Sequence, residues 1–154
     1  MRIILSLLLI ISSSPVSARN LSEAIEQSAA GMKTQSARMK VIAQNIANSG
    51  STGTTPGAEP YRRKIITLKQ KVDPETGNMV VKVDRIGRDY RTPFSAKYDP
   101  NHPAADNNGY VLLPNVSSTT EKLDMKESER SYEANLGAIG TSKRMYMNTL
   151  DLLR

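Results

Sequence analysis

Two stretches of this sequence, one in each half, repeat side chains at alternating spacings of four and three. In the first, Leu21, Ile25, Ser28, Met32, Gln35, Met39, Ile42 and Ile46 keep that rhythm, with Ser28 and Gln35 as its polar interruptions. A four-three alternation turns one face of a helix toward one partner, so it predicts an amphipathic helix with a heptad seam. Leu21–Asn48 contains no Pro and a single Gly, Gly31. Asn20 or Ser22 is the expected cap, and Asn48-Ser49-Gly50 the expected stop. At 1.5 Å per residue the helix runs about 42 Å, more than a domain this small needs for its own interior. The second stretch, Met125, Glu129, Tyr132, Leu136, Ile139, Lys143, Tyr146, Leu150 and Leu153, repeats the device.

Between them the period shortens to two. Ile66 and Leu68 sit in a basic stretch, and Met79, Val81 and Val83 alternate with other residues. Asp73-Pro74-Glu75-Thr76-Gly77-Asn78 is turn chemistry, so a hairpin is predicted there. Thr92–Tyr98, with Phe94, Ala96 and Tyr98 on one face, and Tyr110–Leu113 are predicted as further strands. The fold class is therefore α+β: long N- and C-terminal helices packed as a coiled coil, with a small β-rich domain between them. The expected divisions are a leader or extension at 1–18, a helix at 19–49, a Ser/Thr/Gly/Pro-rich linker at 50–60, the β domain at 61–116 and a second helix at 117–154.

Composition sharpens this picture. There is no Trp and only one Phe, Phe94, so the interior is expected to be small and part of the apolar surface to be covered by other chains. The absence of Cys excludes disulfides, thiol catalysis and cysteine zinc sites. A formal charge of +6 suits an acidic partner, but no aromatic-flanked basic stripe points to nucleic acid. The first residues read as a secretory leader: Arg2, the apolar run Ile3–Ile11, and Val16-Ser17-Ala18 before Arg19 as a cleavage site. That run is too short to span a bilayer, which takes about 20 apolar residues.

Catalytic chemistry is hard to assemble from these residues. The single histidine, His102, lies between Asp99 and Asp106, but the segment's Pro, Asn and Gly residues read as a rigid loop instead of a metal site. No nucleophile elbow and no phosphate-binding Gly-rich loop occurs. Glu127 and Glu129 fall on a helix surface, and Arg62-Arg63-Lys64 reads as an exposed strand edge. No catalytic, metal-binding or cofactor-binding residue is assigned.

Three segments, in order, resemble the flagellar rod and hook proteins. Ser36–Asn48 ends in Asn45-Ile46-Ala47-Asn48, similar to that family's N-terminal signature. Tyr98–Val116, with Asp99-Pro100-Asn101-His102-Pro103-Ala104-Ala105-Asp106 and Gly109-Tyr110-Val111-Leu112-Leu113-Pro114-Asn115-Val116, is similar to a stretch particular to proximal-rod members. Ser128-Glu129-Arg130-Ser131-Tyr132-Glu133-Ala134-Asn135 resembles the C-terminal helix motif. The resemblance implies a structural subunit of the flagellar basal-body rod, a periplasmic drive shaft built by packing terminal helices.

It further implies an assembly interface at Met32, Met39, Ile42, Asn45, Ile46, Asn48, Tyr132, Asn135, Leu136, Ile139, Tyr146 and Leu150, with Asn45 and Asn48 capping the first helix. The implied partners are other rod proteins and further copies of the chain. By the same resemblance they extend to the membrane-embedded basal-body ring and the hook–basal body proteins. No nucleic acid, small-molecule substrate or cofactor is implied. The leader departs from the family, whose members are exported uncleaved by the flagellum's own apparatus. The competing readings are a secreted periplasmic binding module clasped by its helices and a peptidoglycan-acting enzyme. A saturable small ligand would mark the first, and a convergent acid/base pair the second.

Overall fold

The structure is a computed structural model and describes residues 16–152. Helix α1 (Val16–Ala47) and helix α2 (Ser118–Leu152) bracket four strands, β1 (Lys64–Val72), β2 (Met79–Arg88), β3 (Ser95–Tyr98) and β4 (Tyr110–Leu113). This is the expected α+β arrangement. The leader predicted at 1–18 lies outside the described residues except for its last three, which open α1. Because no Pro or Gly separates Val16 from Leu21, the helix continues back through this segment, and neither Asn20 nor Ser22 caps it. Its end is where the sequence puts it. The Asn48 side chain donates to Gln44 O at 2.8 Å, and the Ser49 hydroxyl to Ile46 O at 2.8 Å. These bonds add to the ones the same two carbonyls accept from the backbone, Gln44 O from Asn48 N–H at 3.1 Å and Ile46 O from Ser49 N–H at 3.2 Å.

The helices pack antiparallel: Asn45 near the end of α1 meets Glu121 near the start of α2, and Gly31 faces Asn135. On α1 all eight predicted seam positions are buried or half-buried. On α2 the seam is corrected. The side turned inward carries Glu121, Met125, Ser128, Tyr132, Asn135, Ile139 and Ser142. Met125, Tyr132 and Ile139 are as predicted, but Ser128, Asn135 and Ser142 replace Glu129, Leu136 and Lys143. Both sets keep the four-three rhythm, so spacing could not choose between them. Close approach chooses. A Cβ on Gly31 would lie 2.9 Å from the Asn135 amide, and Ser128 is 0% exposed, so a longer side chain at either of these two positions would hold the helices apart.

The predicted hairpin is present, its turn closed by Asp73 N–H to Asn78 O and Gly77 N–H to Asp73 O, both 2.8 Å. Gly77 sits at φ 74°, a conformation that costs other residues more. β1 and β2 pair antiparallel with a bulge between Thr67 and Leu68. The alternating set Met79, Val81 and Val83 is not the buried side at its start. Met79 is 50% exposed, whereas Val80 is 2% exposed, on the side facing α1. β3 and β4 form a separate two-stranded sheet, with the Tyr98 and Tyr110 rings edge to face at 5.3 Å. Thr92–Phe94 stays outside β3, because Asp89 and Asn115 hold Thr92 by its backbone.

The residues expected as a linker close on themselves: Tyr61 N–H donates to Ser51 O at 2.9 Å. Among the described residues the buried apolar side chains are Val41, Ile42, Val80, Ala104 and Val111, with Pro60 and Pro114. None is aromatic, in keeping with the small interior expected from composition.

Candidate functional site

The residues expected at an assembly interface divide into three groups. Ile42 and Asn45 are buried, and Met32, Met39, Ile46, Asn48, Tyr132, Asn135 and Ile139 are half-buried. Leu136, Tyr146 and Leu150 are exposed. Met32, Tyr132 and Ile139 come together with Ala29, Lys33 and Ser36 around an open groove of about 420 Å³ between the helices. Beyond it, Met145, Tyr146, Met147, Leu150 and Leu152 make the last turns of α2 apolar around most of their circumference and leave them exposed. An apolar stripe this wide on a helix is normally covered. Here the enclosing surface is not supplied by the described part of the same chain.

A second constellation was not predicted. α1 carries another inward stripe, Thr34, Arg38, Val41 and Asn45, again spaced four-three-four, which meets the β region and, at Asn45, the start of α2. Asn45, 1% exposed, is its centre. Its amide NH2 donates to Lys64 O at 2.9 Å and to Glu121 Oε2 at 3.0 Å. Its Oδ1 accepts from Lys64 N–H at 2.8 Å and from the Tyr61 hydroxyl at 3.0 Å. Asn45 therefore does not cap α1; that role falls to Asn48, with Ser49 beside it. It ties the end of α1 to the start of β1 and the start of α2.

Glu121, also 1% exposed, completes the junction by accepting from Arg63 Nε at 2.5 Å. Arg63 reaches Asp124 as well, at 3.6 Å. A buried carboxylate needs such a partner, since an unpaired charge in the interior is costly. Asn115 extends the network: its Oδ1 accepts from Arg63 N–H at 2.7 Å, and its NH2 donates to Asp89 O and Thr92 O, both at 3.0 Å. The Arg62 guanidinium lies between the rings of Tyr90 (4.7 Å) and Phe94 (4.1 Å), a cation–π stack on the outer side.

The electrostatics are structural in character. Burial pushes the Tyr61 hydroxyl above its ordinary range, with Glu121 adding to the effect, so it remains a donor to Asn45. The hydroxyl and amide of Thr92 hold the Asp89 carboxyl below the usual carboxylate range. Lys82 does the same for Asp73, and Lys71 for Asp84. In the His102 loop, Ala104 N–H donates to Nδ1 at 3.0 Å, so in the neutral ring the proton is on Nε2, 3.2 Å from Thr52 Oγ1. Asp106 Oδ1 accepts two loop amides, and Asp99 pairs with Lys97. Asp99, His102 and Asp106 each have a local partner. Among the described residues no three His, Asp or Glu are grouped to hold a metal ion.

No protein-family model matches the chain. It is 46% identical over 134 residues to the flagellar basal-body rod protein FlgC of Agrobacterium fabrum, covering 87% of this chain and 96% of that one. It is 37% identical over 147 residues to FlgC of Borreliella burgdorferi, covering 84% and 95%. With FlgC of Bacillus subtilis the identity is 36% over 141 residues, covering 81% and 93%.

Proposed function

The chain belongs to the FlgC family of flagellar basal-body rod proteins, and from that membership we propose that it builds the proximal rod through the open groove and the exposed apolar turns of α2. It is a structural subunit of the flagellar basal-body rod. The observation that carries the proposed mode of assembly is the exposed apolar end of α2, continued along one flank by Leu136. Burying a side chain such as Leu136 or Leu150 against a neighbour contributes about 1.5–3 kcal/mol, so a few of them drive association. The neighbours are other rod proteins and further copies of the chain, in contacts that propagate instead of closing into a dimer. The ring and hook–basal body proteins follow as more distant partners.

The rod so built spans the periplasm, and the subunit performs no catalytic step in it. Among the described residues no helix is long and apolar enough to cross a membrane. The test is Leu136→Asp and Leu150→Asp, each made in cells that depend on this gene for motility. The expected result is a chain with unchanged helicity that is missing from purified basal bodies and does not support swarming. Normal swarming by both variants would overturn the assignment of this surface.

A further inference from the structure

We infer that the cavity between α1, β1 and the start of α2 is a socket for a second copy of the chain, which inserts Leu136 of its α2 with Glu133 beside it. The inference rests on the reading of the outer α2 flank as an assembly surface and names what that flank meets. The cavity holds about 290 Å³. Val41 and Ile42 of α1 wall one side, and Ile65, Ile66 and Leu68 of β1 the other. Three cations border it, Arg38, Arg63 and Lys64, against the single carboxylate of Glu121. Arg63 and Glu121 satisfy each other, and Lys64 Nζ donates to Gln44 Oε1 at 3.0 Å. Half-buried Arg38 has no ion-pair partner among the described residues. A guanidinium held among aliphatic walls keeps only part of its hydration, so the group the cavity lacks is an anion carried on an apolar side chain.

The outer flank of α2 presents that combination at one place. Glu129, Glu133 and Leu136 follow one another at spacings of four and three, which puts them on the same side of the helix. All three are exposed, Leu136 to 52%, and neither glutamate has an ion-pair partner among the described residues. No Lys or Arg lies within four residues of Leu136 on either side. Gly137 and Gly140 next to it have open space where a Cβ would stand, so Leu136 projects as a knob that a neighbour's walls can surround. The other exposed leucine in the first half of α2, Leu123, is followed by Lys126, Glu127 and Arg130, a positive balance that Arg38 would repel.

The chain cannot fill its own socket. Gly31 faces Asn135, so Leu136 stands level with that part of α1, on the outer flank of α2. The socket begins at Arg38, seven residues or about 10 Å further along α1. A free hydrated anion gains nothing from five aliphatic walls, whereas a leucine with a carboxylate beside it matches both the walls and the unpaired cation. Knob and socket are different surfaces of one chain, so each copy offers one of each and the contact repeats from copy to copy.

The chain has no Cys, so introduced thiols report only the contact under test. Two forms of the full chain, one with Ile65→Cys and one with Leu136→Cys, are expressed together in flagellated cells. A short bis-maleimide is added to whole cells, and linked peptides are read by mass spectrometry. Because each form carries one thiol, a link between positions 65 and 136 joins two copies. The expected yield is at least tenfold above that obtained when Leu123→Cys replaces Leu136→Cys. Adding Arg38→Glu to the first form, or Glu133→Lys to the second, should lower it at least tenfold, and the two reversals together should restore at least half. Glu133→Lys changes an exposed position on a helix, and recovery in the combination cannot come from a misfolded Arg38→Glu chain. No link between 65 and 136, a yield no higher than the Leu123 control, indifference to either reversal, or no recovery in the combination would overturn the proposal. Loss of swarming in Leu136→Asp without such a link would keep the α2 flank as an assembly surface and place its partner elsewhere. Normal swarming by Leu136→Asp and Leu150→Asp would instead count against the flank itself.

Discussion

Asn45→Ala removes the centre of the polar junction without touching any exposed surface. Four groups lose a partner: Lys64 N–H, Lys64 C=O, the Tyr61 hydroxyl and Glu121 Oε2. A buried polar group left unpaired costs about 1–3 kcal/mol, but the four are not additive. Glu121 keeps Arg63, and half-buried Tyr61 can turn toward water. The expected loss is therefore about 3–5 kcal/mol, a large share of the roughly 5–15 kcal/mol that holds a domain together. Urea unfolding of the purified chain at neutral pH, followed by circular dichroism, measures it.

Asn45→Asp supplies a second arm that depends on sign. It places a carboxyl against Glu121, so the proton on the introduced group is held above the ordinary range near 3.9. The native state then binds more protons than the unfolded one, and stability falls as pH rises past about 4. The deficit of this variant relative to the natural chain should widen from pH 4 toward neutrality. A loss below about 1 kcal/mol for Asn45→Ala, or a deficit for Asn45→Asp that does not change with pH, would refute the account of the junction.

Other consequences are as direct. Gly31→Val puts a branched side chain where a Cβ alone lies 2.9 Å from Asn135, and should cost about 1–3 kcal/mol in urea unfolding; Asn135→Ala in the same chain should recover most of it. Ser128→Leu should destabilise by a similar amount, about 1–3 kcal/mol, whereas Glu129→Leu, one residue on and exposed, should stay within about 0.5 kcal/mol; equal losses would mean that the α2 seam has been placed wrongly. Because Thr92 holds the Asp89 carboxyl low, its contribution is present above pH 4 and lost as pH falls through its folded-state value. Asp89→Asn should accordingly flatten the acid limb of a stability-against-pH curve, read from urea midpoints.

The two long helices, the hairpin and the three family motifs were legible because each is written locally, in periods of 3.5 and 2 or in contiguous residues. What was not legible depends on partners far along the chain. Asn45 stands in the Asn45-Ile46-Ala47-Asn48 signature and looks like a cap, yet its partners are 16, 19 and 76 residues away. The one local sign was the second four-three-four stripe through Thr34, Arg38, Val41 and Asn45, a polar-rich stripe that an apolar-only pattern overlooks. On α2 the same spacing fits two registers that share Met125, Tyr132 and Ile139, and the one through Leu136 continues into Tyr146 and Leu150, so only the partner helix distinguishes it from the one through Asn135.

That choice of register has a physical meaning. Gly31, Ser128, Asn135 and Ser142 bring α1 and α2 close together but bury little apolar area in doing so. Of the large apolar side chains of α2, Met125, Tyr132 and Ile139 turn inward, whereas Leu136, Tyr146 and Leu150 lie on its outer flank and its last turns and remain in water. A pair of helices evolved to be stable alone would reverse this, placing leucines inside and small polar residues outside. The observed order suits a subunit whose internal seam fixes geometry and whose outer face supplies the association energy. On the proposed mode of assembly, the small buried apolar set of a chain with helices this long follows from the same order, since the outer flank is then covered by a neighbour.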